Sequence, residues 1–137
     1  MPSPSDTARR FRALGPVLGL LLGLAPLAAQ ASIEGLWLTD RRDGVVGLVE
    51  VAPCGSGLCG TVLRGFDTSG GEVMTHAGRP VLRAMVPTGP GRYEGEVLDP
   101  RNGRVYLGRL REMGSELHME GCVLGGLICA TSVWRRP

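Results

Sequence analysis

From Glu34 to the end of the chain, apolar and polar residues alternate in short runs that turn residues interrupt. In Arg92-Tyr93-Glu94-Gly95-Glu96-Val97 the charged residues share one side of an extended strand, and Tyr93, Gly95 and Val97 share the other. In Leu117-His118-Met119-Glu120 the apolar pair opposes the polar pair. Runs of this kind span 34–39, 45–52, 58–65, 81–86, 92–98, 104–111, 116–122 and 131–136. Asp43-Gly44, the segment from Cys54 to Leu58, Thr88-Gly89-Pro90-Gly91, Pro100 to Gly103 and Met113-Gly114-Ser115 separate most of them. No stretch after residue 31 carries a 3.6-residue apolar stripe of helical length. Eight short strands at this spacing predict an all-β domain, an up-and-down barrel or a sandwich. The 22 glycines suit strands that bend sharply or approach one another closely.

The best-specified turn is Asp99-Pro100-Arg101-Asn102-Gly103-Arg104. Pro100 pre-sets φ, Asn102 can bond its own backbone, and Gly103 tolerates a positive φ, which together predict a closed hairpin. Residues 66–80 break the rhythm. This polar, glycine-containing segment is longer than a hairpin loop and reads as a functional loop or a disordered connection.

The first 31 residues follow a different pattern. Arg9, Arg10 and Arg12 precede an apolar run from Leu14 to Leu27, and Ala29-Gln30-Ala31 offers small residues at a cleavage site. The run is shorter than the roughly 20 residues of a spanning helix and contains Pro16 and Pro26. The expectation is a cleaved signal peptide over 1–31 and a single barrel domain over 32–137, located in the periplasm of a Gram-negative bacterium or outside the cell. No transmembrane segment is expected after cleavage. Without Asp6 and the three N-terminal arginines, acidic and basic residues are equal in number, which argues against a nucleic-acid partner.

Export gives the four cysteines their meaning. Cys54, Cys59, Cys122 and Cys129 form an even set in an oxidising compartment and read as disulfides. Of three possible connectivities, Cys54–Cys59 and Cys122–Cys129 are favoured, because each pair brackets a glycine-rich turn. Closing each loop is worth roughly 2–2.5 kcal/mol in unfolded-state entropy. C-x4-C with C-x6-C fits a zinc site poorly, and no C-x-x-C redox motif is present.

Little else carries chemistry. His76 and His118 lie on separate elements, the serines show no nucleophile elbow, and Glu94 and Glu96 share a solvated strand face. No catalytic residue, cofactor or metal is assigned, and an enzyme is not expected. Tyr93, Tyr106, Trp37 and Trp134 are the aromatic candidates for lining a ligand cavity, with ordinary barrel core as the competing reading.

Gly35-x-Trp37 on the first strand and Trp134-x-Arg136 on the last resemble the calycin pattern of lipocalins, in which an arginine from the final strand packs across the tryptophan. That resemblance implies barrel closure by Gly35, Trp37, Trp134 and Arg136, with Arg135 solvated on the opposite face. A fuller match comes from Cys54, Leu58-Cys59-Gly60, Gly95, Asp99-Pro100-x-x-Gly103-Arg104-x-Tyr106, Gly121-Cys122 and Cys129. These features resemble the small exported bacterial proteins grouped as domain of unknown function 2147, across essentially the whole chain after residue 31. The family usually carries an Asn-Pro-Asp segment before the fourth strand, where this chain reads Gly70 to Pro80 instead. The resemblance implies a small eight-stranded antiparallel lipocalin-like barrel in the periplasm or outside the cell, and implies no known activity. The expected function is non-enzymatic binding of a small apolar ligand. A protein-binding module, an inhibitor or envelope adaptor acting through its loops, is the alternative.

Overall fold

The computed structural model describes residues 32–137, with Gly15, Pro16, 18–20 and 22–24 of the preceding segment. The N-terminal arginines and the expected cleavage site at Ala29-Gln30-Ala31 lie outside the described residues. No described helix is long and apolar enough to cross a membrane.

Nine strands form one antiparallel sheet: β1 (Gly35–Leu38), β2 (Val46–Cys54), β3 (Gly57–Phe66), β4 (Glu72–Val73), β5 (Pro80–Gly89), β6 (Arg92–Leu98), β7 (Val105–Met113), β8 (Glu116–Val123) and β9 (Ile128–Arg135). A short 3₁₀ turn at Leu124–Gly126 joins the last two. Eight strands close into a ring because β9 pairs with β1 and β2 pairs with β3; β4 is an appendage on the end of β3. The chain is therefore an eight-stranded antiparallel barrel. Closure removes the open strand edges that a flat sheet would expose.

The turns follow the residues. Asp43 and Gly44 both take positive φ (49° and 78°), and Arg42 and Val45 exchange two backbone hydrogen bonds of 2.9 Å around them. Positive φ at both central positions matches the right-handed twist of the flanking strands. At the 99–104 turn the Asp99 carbonyl accepts from the Gly103 amide (2.7 Å), the Asn102 side chain accepts from the Arg104 amide, and Gly103 sits at φ 73°.

Three features depart from the expected pattern. The 66–80 segment is neither a plain loop nor a disordered connection. It folds back as β4, with Val73 paired to Gly65, and is pinned by the Gly78 amide donating to the Val62 carbonyl (2.7 Å). The last strand begins at Ile128 rather than Thr131, because Cys122 and Cys129 are direct cross-strand partners and the ladder runs through their disulfide. A bulge interrupts β5, where Ala84 adopts φ 53° and the register shifts between Arg83 and Val86. The bulge pushes backbone against β6, and a Cβ on Gly95 would lie 2.6 Å from the Ala84 carbonyl oxygen. Only glycine fits there.

The loops at 39–45, 67–79, 99–104 and 124–127 gather at one end, and the tight turns at Gly55-Ser56, Pro90-Gly91 and Gly114-Ser115 at the other. The second end is closed. Ile33, Trp37, Leu82, Met85 and Leu117 are fully buried, with Val49, Val51 and Leu110 packed around them. The first end is open and forms the mouth of a cavity.

Candidate binding cavity

Strand alternation directs every second residue of each strand inward. Near the closed end those residues are large and meet in the core. Toward the mouth they include Gly47, Gly65, Gly121 and Ala130, which leave the axis unfilled. The result is a cavity of about 520 Å³. Val62, Val81, Val97, Tyr106, Met119 and Trp134 supply most of its apolar wall. This volume lies within the 300–1,000 Å³ usual for small-molecule sites, and so does the combination of apolar wall and few polar groups.

The polar groups are concentrated toward the rim. Ser132, only 5 % exposed, donates a 2.6 Å hydrogen bond to Asp40 Oδ1, and Arg42 lies 3.5 Å from the other Asp40 oxygen. Arg101 reaches back to Asp99 (2.8 Å) and across to Asp43 (3.1 Å), linking the 99–104 turn to the β1–β2 loop. Arg79 donates to the Pro100 carbonyl and brings the 67–79 segment to the same turn. Three loops are thus joined around one opening. The hydrogen bond from Arg101 holds the Asp99 carboxyl below its usual range, against the opposing effect of burial. His76 also lines the cavity, and its Nδ1 atom is buried without a hydrogen-bond partner among the described residues. An unsatisfied buried nitrogen costs free energy, and a polar group on a bound molecule would offset it.

The structure separates the aromatic candidates. Tyr106 and Trp134 line the cavity. Trp37 and Tyr93 do not. Trp37 is fully buried at the closed end and donates from Nε1 to the Ile33 carbonyl (2.8 Å). Tyr93 packs against the core from β6, opposite Leu110. Tyr93 sits at the closed end of β6, and the Trp37 ring turns toward Ile33, among the core side chains that fill that end.

At the β1–β9 seam a single residue pair, Leu38 with Arg135, is in register. Arg136 reinforces it: its guanidinium carbon lies 3.9 Å from the centre of the Trp37 ring. The same group donates to the carbonyls of Ser32, Glu34 and Leu36. Gly35 permits this approach. It takes φ 107°, and a Cβ there would stand 3.0 Å from Arg136 Nη1. Trp134 takes no part in that stack and faces the cavity instead. Arg135 lies exposed on the outer face, where it pairs with Glu116 (2.8 Å) rather than being merely solvated.

Disulfides join Cys54 to Cys59 and Cys122 to Cys129. Donor atoms of Glu120, Cys122 and Cys129 cluster within 4.8 Å, but both sulfurs are in the disulfide and offer no thiolate to a metal. His118 bonds Glu116 on the outer face, far along the chain from His76. Glu94 and Glu96 lie on that face as well, Glu96 paired with Arg83.

Sequence reasoning missed Asp40, Ser132, His76 and Arg101 as rim residues. No local signal marks Asp40 or Ser132, which are 92 positions apart and meet only when the barrel closes. Arg101 stands inside a well-specified turn, but its bridge to Asp43 depends on loop placement.

No curated protein matches the chain significantly. Among solved structures, protein HP1028 from Helicobacter pylori, described as belonging to the lipocalin family, superposes with a TM-score of 0.62 at 15 % identity. The match covers 78 % of this chain and 84 % of that one, and it is a likeness of fold. A family model described as "Uncharacterized protein conserved in bacteria (DUF2147)" matches residues 35–136. That span takes in the closing Gly35-x-Trp37 and Arg136, both disulfides and every strand of the barrel, and the chain belongs to this family.

Proposed function

We infer that the protein is an exported, non-enzymatic binding protein that takes a small apolar molecule into the open end of its barrel. The cavity of about 520 Å³ carries this reading, since its wall is apolar and its polar groups stand at the rim. An apolar body sheds water against Val62, Val97 and Trp134, at about 25 cal/mol for each Å² buried. A polar end stays level with Ser132, Asp40 and His76. The lipocalin description of the Helicobacter pylori protein is consistent with this use of the fold. The arginine-led export signal and the disulfides favour the periplasm or the extracellular space.

The test is titration with N-phenyl-1-naphthylamine, an uncharged apolar fluorophore, on the wild type and on Gly121→Leu. A Cβ at Gly121 meets nothing closer than Tyr106 Cβ at 3.7 Å, so the larger side chain enters the cavity rather than the wall. Saturable binding by the wild type, weakened about tenfold or more in the folded variant, is expected, since the added side chain displaces a comparable apolar volume from the site. Absence of saturable binding, or equal affinity in both proteins, would overturn the reading.

A further inference from the structure

A second depression lies on the outside of the barrel and is separate from the cavity. Tyr93 and Leu110 face each other across β6 and β7 and point inward, so their neighbours Arg92 and Arg111, also direct partners, point outward. His118 of β8 is the next partner in that row. Two arginines and a histidine therefore stand side by side across three strands. Like charges directly opposite each other on one face are destabilising, with Cβ atoms about 5 Å apart.

The row below is different. Glu94, Arg109, Glu120 and Thr131 follow one another across β6 to β9, so Arg109 has a carboxylate on either side. Its guanidinium leans toward Gly126, where a Cβ would meet Nη2 at 2.7 Å. His118 has its own acceptor in Glu116. Arg92 and Arg111 have none: among the described residues no carboxylate pairs with either. Both line a depression of about 430 Å³ with Thr88 and His118, and Arg109 and its two carboxylate neighbours, Glu94 and Glu120, line the same depression.

We propose that Arg92 and Arg111 form a binding site for a phosphate-type oxyanion on the outer face of β6–β8. Two guanidiniums at cross-strand spacing can each turn an N–H fork toward one tetrahedral oxyanion. The bound anion relieves the repulsion between them, and Thr88, on the neighbouring strand β5 beside Arg92, can turn its hydroxyl toward it. Glu94 and Glu120 lie one row away beside Arg109, so the excess positive charge belongs to the Arg92–Arg111 row. The oxyanion is either free phosphate or the phosphate of a lipid headgroup.

The test has two probes and one main variant. Inorganic phosphate is titrated into the labelled protein and followed by NMR, with chloride at matched ionic strength as reference. Vesicles of phosphatidylglycerol and of phosphatidylcholine are used in a retention assay. Arg111→Thr keeps a good strand former while removing the like-charge contact. Saturable, phosphate-specific shifts at Arg92 and Arg111 are expected. Binding to the variant should be weaker by about tenfold or more, as for loss of a charge-assisted hydrogen bond, with a raised melting temperature. Retention on phosphatidylglycerol vesicles alone, lost in the variant, identifies the headgroup as source; phosphate binding without retention identifies the free anion. Identical responses to chloride and phosphate with no selective retention would overturn the proposal. So would a variant that binds as well as the wild type, or one whose melting temperature falls.

Discussion

Adjacent residues of one type have unequal roles at the C-terminal end of this chain. Arg136 stacks on Trp37 and donates to three carbonyls of the segment that enters β1, whereas Arg135 makes one exposed ion pair. A guanidinium over an indole is worth about 0.5–2 kcal/mol, and the aliphatic stem adds packing. Arg136→Ala is expected to lower stability by about 1–2 kcal/mol in urea unfolding. Arg135→Ala should stay within about 0.5 kcal/mol, as exposed pairs usually do. Equal losses in the two variants would show that the stack does not hold the seam.

At the scale of elements, the 99–104 turn matters because it joins three loops at the mouth. Its Asp99 carboxyl is held below the ordinary value of 3.8, first by the hydrogen bond from Arg101 and also by the nearby positive charge. A carboxyl whose pKa is depressed on folding contributes stability that is fully present above its unfolded value, about 3.9. That contribution is lost as pH falls through the folded value. The bridge from Arg101 to Asp43 belongs to the same cluster, and the mouth should loosen over that acidic range while staying unchanged near neutrality. Carboxyl ¹³C titration should place the Asp99 midpoint below 3.8, and Arg101→Gln should return it toward that value. A midpoint unaffected by Arg101→Gln would mean that another group holds the carboxyl.

For the whole molecule, the proposed export and the two local disulfides are read in one mass. A chain recovered from a periplasmic extract and analysed without reduction should begin at Ser32 and be lighter than the reduced form by two hydrogens per bridge. Recovery of the full-length chain, or of free thiols, would count against the exported reading. The bridges clip Gly55-Ser56 at the closed end and the 124–127 turn at the mouth end. Each secures a hairpin whose open form has much conformational freedom, and reducing both should cost several kcal/mol of stability.

Much of the barrel is local in origin and was legible in the chain. Asp43-Gly44 and Asp99 to Arg104 dictate their own turns, period-two alternation places Leu117 and Val97 inside, and glycine-rich spacers bring each cysteine beside its partner. The segment at 66–80 was not legible, because β4 exists only through pairing with the end of β3. The Ala84 bulge was equally hidden, since alanine has no preference for positive φ and is held there by its neighbours. Which aromatics face open space was undecidable from type alone: Trp37 and Trp134 both point inward, one into packed core and one into a cavity. That difference depends on which side chains the facing strands bring against each ring, Ile33 and Arg136 at Trp37 but the open space below Gly121 and Ala130 at Trp134. The chain by itself pointed to the eight barrel strands, their turns and the favoured cysteine pairs, because those arise between near neighbours. Only closure of the barrel decided where the cavity lies and which polar residues ring it, because Asp40 and Ser132, or Asp43 and Arg101, become neighbours only when distant strands meet.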